Sequence, residues 1–255
     1  MTLRLGPSAH VDLVRARISA SLQEPRTHPG GNLTHPVTRS EDPVWRFERG
    51  RARVLFLGRR QTTDRREVLR EATGRYLPVS WLRQLHGSAA LEASAGCAGD
   101  ADALVSRQPD LALAISTADC VPVVLASDDT LAVVHAGWRG IEKSIVERTL
   151  SRLEADPPTI HAWIGPAIGR CCYEVGDEVA RRLAEACGTT RIVEPRGDSN
   201  PHVDLVGAVM EQLATAGVAE VETVDVCTRC DARLHSYRRD KDAGRNLTFA
   251  WVEGV

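Results

Sequence analysis

The sequence predicts an α+β layered domain in which mixed β-sheets are flanked by helices. Three observations carry this reading. From about Val44 onward, apolar runs of strand length recur along the chain. Amphipathic patterns of helical period stand between some of them. Other runs follow one another through a few polar residues, so direct and helical connections are mixed.

Taken in order, "HVDLVRARISASL" sets Val11, Val14, Ile18 and Leu22 at helical spacing, and a Pro/Gly/Thr-rich stretch follows. Residues 1–45 therefore read as a variable N-terminal appendage, and 46–255 as the main folded domain. "RARVLFLG" (51–58) is strand-like, and "TTDRREVLREATG" (62–74) is helical up to its glycine. "VSWLRQLHG" (79–87) reads as a strand finishing on His86. "LALAIS" (111–116), "VPVVLA" (121–126) and "LAVVHAG" (131–137) are compact apolar runs. Residues 140–155 carry Ile141, Ile145, Leu150 and Leu153 on one face, which predicts one helix opening at Gly140. "TIHAWIGP" (159–166) is strand-like; helices are expected over 176–187 and 204–216, and strands over 221–227 and 246–252.

Composition narrows the function classes. The chain has 255 residues, 43% hydrophobic and 26% charged, with 32 Lys+Arg against 34 Asp+Glu and a formal net charge of -2. A polyanion-binding surface is not expected, which argues against nucleic acid. No apolar run reaches the roughly 18 residues of a membrane span, and no secretory leader is visible at the start. A cytoplasmic monomer is the expectation. Seven cysteines is an odd count in a chain too long to need a disulfide framework. Reduced, mostly buried thiols are expected.

Three apolar segments deliver a metal-ligand residue: His86 in "RQLHG", Cys120 in "STADC" and His135 in "LAVVH". Two imidazoles and a thiolate suit Zn²⁺ with a fourth position left open, and Cu²⁺ accepts the same set. Their separations of 34 and 15 residues match no short zinc signature, so on spacing alone a structural role for each stays open. "HAGWRG" adds an anion site if Gly140 opens a helix, with Arg139 beside it; a glycine-assisted turn is the simpler alternative. "CTRC" (227–230) lacks both the helix context of a redox pair and a second C-x-x-C. The vicinal Cys171 and Cys172 have the wrong spacing, so neither a redox pair nor a four-cysteine zinc site is expected. "SYRRDKDAGR" (236–245) gathers Arg238, Arg239, Lys241 and Arg245 at a polar turn. No G-x-S-x-G, Walker or dinucleotide fingerprint is present.

Together, "RQLHG", "DALVS", "STADCVPVVL", "VVHAGWRG", "IGPAIGRCCYEVG", "CT" and "SYRRD…GR" resemble in order and spacing the YfiH-like family, over about residues 79–252. Its members are labelled laccase-domain protein, multicopper polyphenol oxidase and purine nucleoside phosphorylase. The resemblance implies a fold like the cytotoxic necrotizing factor catalytic domain, and a zinc held by His86, Cys120 and His135. It implies phosphorolysis of adenosine and inosine, with guanosine and methylthioadenosine as further substrates and adenosine deamination as a second activity. Purine nucleosides and phosphate are then the partners, with Gln84, Arg139 and Arg238 on the substrate side, and Glu174 or Asp119 as a proton donor to the base. The family's front T-T-R-x-G-G-V-S loop has no counterpart here, and Arg59 or Arg60 stands where its arginine would be. Copper-dependent phenol oxidation is the alternative activity. Against it, the chain has eight histidines and no H-x-H pair. A peptidoglycan-editing or housekeeping role is the third.

Overall fold

The computed structural model describes residues 43–60 and 64–255. The appendage expected over 1–45 thus lies almost wholly outside the described residues, and the sheet begins at Val44. Two six-stranded sheets form the body. The first runs β1 (Val44–Arg49), β2 (Ala52–Leu57), β14 (Asn246–Val252), β7 (Ala112–Thr117), β3 (Val79–Arg83), β5 (Gly96–Asp100). The second runs β13 (Glu220–Thr223), β10 (His161–Ile164), β8 (Val121–Ala126), β9 (Leu131–Ala136), β6 (Ala103–Ser106), β4 (Ala90–Glu92). Both are mixed: β3 runs parallel to β7 and β5, while β14 is antiparallel to β2 and β7. A separate hairpin joins β11 (Val193–Arg196) and β12 (Ser199–Val203).

Side-chain alternation sorts the strands into layers. On β8, Val121, Val123 and Leu125 join one apolar cluster, whereas Val124 and Ala126 join another. The first cluster packs the second sheet on α2 (Trp138–Glu142), α3 (Ile145–Leu153), α4 (Asp177–Cys187) and α5 (Leu205–Thr215). The second fills the space between the sheets, with Phe56, Leu113 and Ile115 facing Val124, Val133 and Trp163. Beyond the first sheet, α1 (Arg65–Thr73) sets Val68 and Leu69 against Leu55, Leu57 and Phe249. Each such fully buried Leu or Phe contributes about 1.5–3 kcal/mol relative to exposure. Helix α1 starts where Asp64 accepts the N–H groups of Arg66 and Glu67, and stops at Gly74 with φ 72°. The layered α+β expectation therefore holds. Among the described residues, no helix is long and apolar enough to cross a membrane.

Three local expectations are corrected. The helix predicted over 140–155 is two helices, α2 starting at Trp138 and α3 at Ile145, separated by Ser144 at φ 57°. Both Ile141 and Ile145 are buried, so the apolar period stays in phase across a break that carries neither Gly nor Pro. The strand of 79–87 ends at Arg83, leaving His86 on a loop at φ 59°. The strand of 221–227 is shortened to β13, and Cys227 makes only an isolated bridge to Ala167.

Candidate metal centre

Parity along β9 decides where His135 points. Leu131 and Val133 face the space between the sheets, and His135 continues that series at the end of the strand. Its register partner on β8 is Pro122, so Cys120, just ahead of β8, comes to the same end of the hairpin. His86 reaches this end from the loop after β3. One ligand atom from each of His86, Cys120 and His135 lies within 4.8 Å of the others. The imidazole rings meet edge to face, with centroids 4.7 Å apart.

Asp102 holds both histidines. It is fully buried just before β6. Its Oδ1 accepts the His86 N–H at 2.9 Å and lies 2.8 Å from His135 Nδ1. Its Oδ2 accepts the N–H groups of Gly87 at 2.6 Å and Leu85 at 3.2 Å. Three consecutive amides on one carboxylate stabilise the left-handed conformation of His86, which otherwise costs a non-glycine residue about 1–2 kcal/mol. The Asp102 contact on Nδ1 leaves Nε2 of His135 for a ligand. "DALVS" carries this residue, but a single Asp ahead of an apolar run has no signature that marks it.

The electrostatics favour a thiolate. Burial alone would raise the Cys120 thiol, yet hydrogen bonds with His135 and His86 outweigh it and bring the group down to about 6. Burial would likewise lower His135, but Asp102 and Cys120 hold it up at about 9. Burial would raise the Asp102 carboxyl, and its bonds to His135 and to the Gly87 amide keep it below the ordinary range. Cys120, His135 and Asp102 thus form a buried chain of thiol, imidazole and carboxyl, each shifted toward its charged form. Two nitrogens and one sulfur fit zinc.

The glycines of "HAGWRG" make room for this. A Cβ on Gly137 would lie 3.1 Å from Cys120 Sγ and 3.2 Å from His86 Cδ2; one on Gly140 would lie 2.8 Å from the Gly87 carbonyl. Gly140 is therefore a packing point inside α2, and the helix opens two residues earlier than expected, at Trp138.

The other expected residues divide. Gln84 spends both ends of its amide on Ser116, donating to its carbonyl at 2.7 Å and accepting its N–H at 2.8 Å; it ties β3 to β7. Asp119, at φ 90°, accepts from Thr228 Oγ1 at 2.6 Å and from the Arg238 N–H at 2.6 Å. Glu174 is exposed and accepts from Asn200. Neither carboxylate is placed as an obvious proton donor. Arg139 is exposed, stacked over Trp138 at 4.5 Å, and among the described residues no carboxylate pairs with it. Arg238 lies over the Tyr173 ring at 5.2 Å and donates to the Glu174 carbonyl. Burial chiefly raises the Tyr173 hydroxyl, and Cys120, Arg238 and Arg139 act on it electrostatically. Arg60 is half-buried beyond β2, next to Arg59, which pairs with Asp240 at 2.6 Å.

The expectation against a four-cysteine cluster is also corrected. Cys171, Cys172, Cys227 and Cys230 converge with all four Sγ atoms within 4.8 Å of one another. Spacing rules describe ligands from contiguous knuckles; here two loops each contribute a pair.

The fold and the site together define a mixed two-sheet α+β domain with a candidate His–Cys–His metal centre. Residues 59–253 match the family model described as multi-copper polyphenol oxidoreductase laccase. A protein of Xylella fastidiosa (strain Temecula1) named purine nucleoside phosphorylase is 37% identical over 185 residues, 68% of this chain and 71% of its own. Purine nucleoside phosphorylase YfiH of Escherichia coli K12 is 36% identical over 179 residues, 68% of this chain and 73% of its own. The crystal structure of Neisseria meningitidis protein NMB0706 superposes with a TM-score of 0.75 at 26% identity, covering 83% of this chain and 99% of that one. The chain belongs to the YfiH-like, laccase-domain family.

Proposed function

We propose that this chain is a zinc-dependent purine nucleoside phosphorylase whose metal is held by His86, Cys120 and His135. The observation that carries the reading is the convergence of these three ligand atoms within 4.8 Å, braced by one buried carboxylate. The names of the relatives point to the same reaction.

In phosphorolysis a phosphate oxygen forms a bond to C1′ of the ribose, and the bond from C1′ to the purine nitrogen breaks. The products are ribose 1-phosphate and the free base. Negative charge enters with phosphate and moves onto the departing purine, so fixed positive groups lower the barrier. A bound zinc ion supplies Lewis acidity toward a phosphate or water oxygen. The chain supplies the rest. Arg139, without a carboxylate partner among the described residues, and Arg238 offer guanidinium donors for the phosphate. Asp102 fixes the ring of His135 and the backbone of His86.

The test is to purify the chain, quantify bound zinc and incubate it with inosine or adenosine, with and without phosphate. Phosphate-dependent release of hypoxanthine or adenine, lost in His135→Ala and Cys120→Ala, is the expected result. Zinc-loaded protein that releases no base would overturn it. Inosine formed from adenosine without phosphate would report the deaminase activity, and phenol oxidation that depends on added copper would report the laccase-type one.

A further inference from the structure

The four-cysteine cluster is not used by the chemistry above. Cys171 and Cys172 sit in the loop after β10, and Cys227 and Cys230 in the loop after β13. Their Sγ atoms are 3.5 Å apart for Cys171–Cys172, 3.4 Å for Cys172–Cys230 and 3.8 Å for Cys171–Cys230. A tetrahedral zinc with Zn–S of about 2.3 Å places its sulfurs about 3.8 Å from one another. A disulfide would need about 2.0 Å. These three spacings match edges of a slightly contracted tetrahedron, and the Cys227 sulfur joins the set within 4.8 Å.

The surroundings match such a shell. The Gly169 N–H donates to Cys227 Sγ at 3.2 Å, an amide-to-sulfur bond that favours thiolate. A Cβ on Gly169 would lie 3.2 Å from Cys171 Sγ and 3.2 Å from Cys227 Cβ, so glycine keeps this cradle open. The Cys227 carbonyl accepts the N–H groups of Cys230 and Asp231, a turn that brings both thiols of "CTRC" to one side.

We propose that Cys171, Cys172, Cys227 and Cys230 form a structural zinc site, distinct from the His86–Cys120–His135 centre. Its place in the fold gives it a task. The two loops it joins both grip Asp119, the neighbour of Cys120: the Ile168 N–H donates to the Asp119 carbonyl at 2.9 Å, and Thr228 Oγ1 and the Arg238 N–H donate to its carboxylate, each at 2.6 Å. Zinc here would hold the loop of Tyr173 and Glu174 against the loop of Arg238. The inference does not depend on nucleoside chemistry.

The test counts metal. Full-length protein grown with zinc should hold two zinc ions per chain by mass spectrometry of the metal. The count should fall to one in Cys230→Ser and, independently, to one in His86→Ala/His135→Ala. Because a cysteine variant can fail to fold, the second measurement keeps all four thiols. His86→Ala/His135→Ala, stripped and reloaded with Co²⁺, should show the intense thiolate-to-cobalt charge-transfer and tetrahedral d–d bands of four sulfur ligands. The proposal is overturned if wild type holds one zinc that Cys230→Ser leaves in place, if the cobalt bands are absent, or if peptide mapping finds Cys227 and Cys230 joined as a disulfide in freshly purified protein.

Discussion

Asp102 Oδ1 lies 2.8 Å from His135 Nδ1 and at the same time accepts the backbone N–H of His86 at 2.9 Å. One buried carboxylate therefore orients two of the three proposed ligands, one through its ring and the other through its backbone. Asp102→Asn keeps the shape but turns an acceptor-only group into one that must aim an NH2 at donors. Zinc affinity, measured by competition with a chromophoric chelator, is expected to fall about 10- to 100-fold. Unchanged affinity in a folded variant would mean that Asp102 serves the loop alone.

Gly137 has φ -78°, a conformation open to any residue, so Gly137→Ala acts through space and not through backbone strain. The added methyl, 3.1 Å from Cys120 Sγ and 3.2 Å from His86 Cδ2, must push two ligands apart. Zinc occupancy should drop while the melting temperature of the metal-free protein changes little. Gly140→Ala strikes the Gly87 carbonyl at 2.8 Å instead, and overpacking of that kind costs about 1–3 kcal/mol. It should lower the melting temperature with or without metal. If both variants lose stability equally without metal, the distinction fails.

A histidine away from the metal centre gives a pH dependence. His161 Nδ1 lies 2.6 Å from an Arg49 guanidinium nitrogen, and Nε2 lies 2.7 Å from Glu222 Oε1. Arg49 can only donate, so Nδ1 carries the lone pair and Nε2 the proton, which is the neutral ring. Burial first, and then Arg49, lower its pKa against the pull of Glu222. Folded His161 thus stays neutral at a pH where the unfolded chain takes up a proton. Its contribution is complete above the unfolded value of about 6.5 and is lost as pH falls below it. In urea titrations from pH 8 to pH 5, wild type should lose more stability than His161→Gln. Parallel curves would show that the ring is already protonated in the fold.

Strands β8, β9 and β14 could be read directly, because each is buried along its whole length and is mostly apolar, with only His135 on β9 and Asn246 and Thr248 on β14 as polar exceptions. Strand β5, "GCAGD", could not: with two glycines and a terminal Asp it is a strand only because β3 pairs with it. His135 stood out by ending an apolar run, whereas Asp102, which does as much for the site, stood out by nothing local. The four cysteines show the same limit. Each pair has an uninformative spacing, and their meeting is set by β10 lying parallel to β13, a pairing that no short window of sequence contains. The break at Ser144 was hidden for the opposite reason, since the apolar period runs through it unaltered.

Arg139 separates the phosphate reading from mere surface charge. It is exposed, rests on Trp138, and among the described residues pairs with no carboxylate, so Arg139→Ala should shift stability by no more than about 0.5 kcal/mol. If its guanidinium binds phosphate, loss of a charge-assisted contact of about 1.5–3 kcal/mol should raise KM for phosphate roughly 10- to 100-fold, with KM for the nucleoside little changed. Arg139→Lys should restore only part of this, because an ammonium cannot make the bidentate contact. Arg238 is the contrast: its backbone N–H holds Asp119 and its side chain holds the Glu174 carbonyl. Arg238→Ala keeps the backbone bond but loses the side-chain bond and the Tyr173 contact, so it should alter KM for both substrates together and lower the melting temperature. A phosphate KM that stays constant in Arg139→Ala, measured by phosphorolysis of inosine at varied phosphate, would move the anion site away from α2.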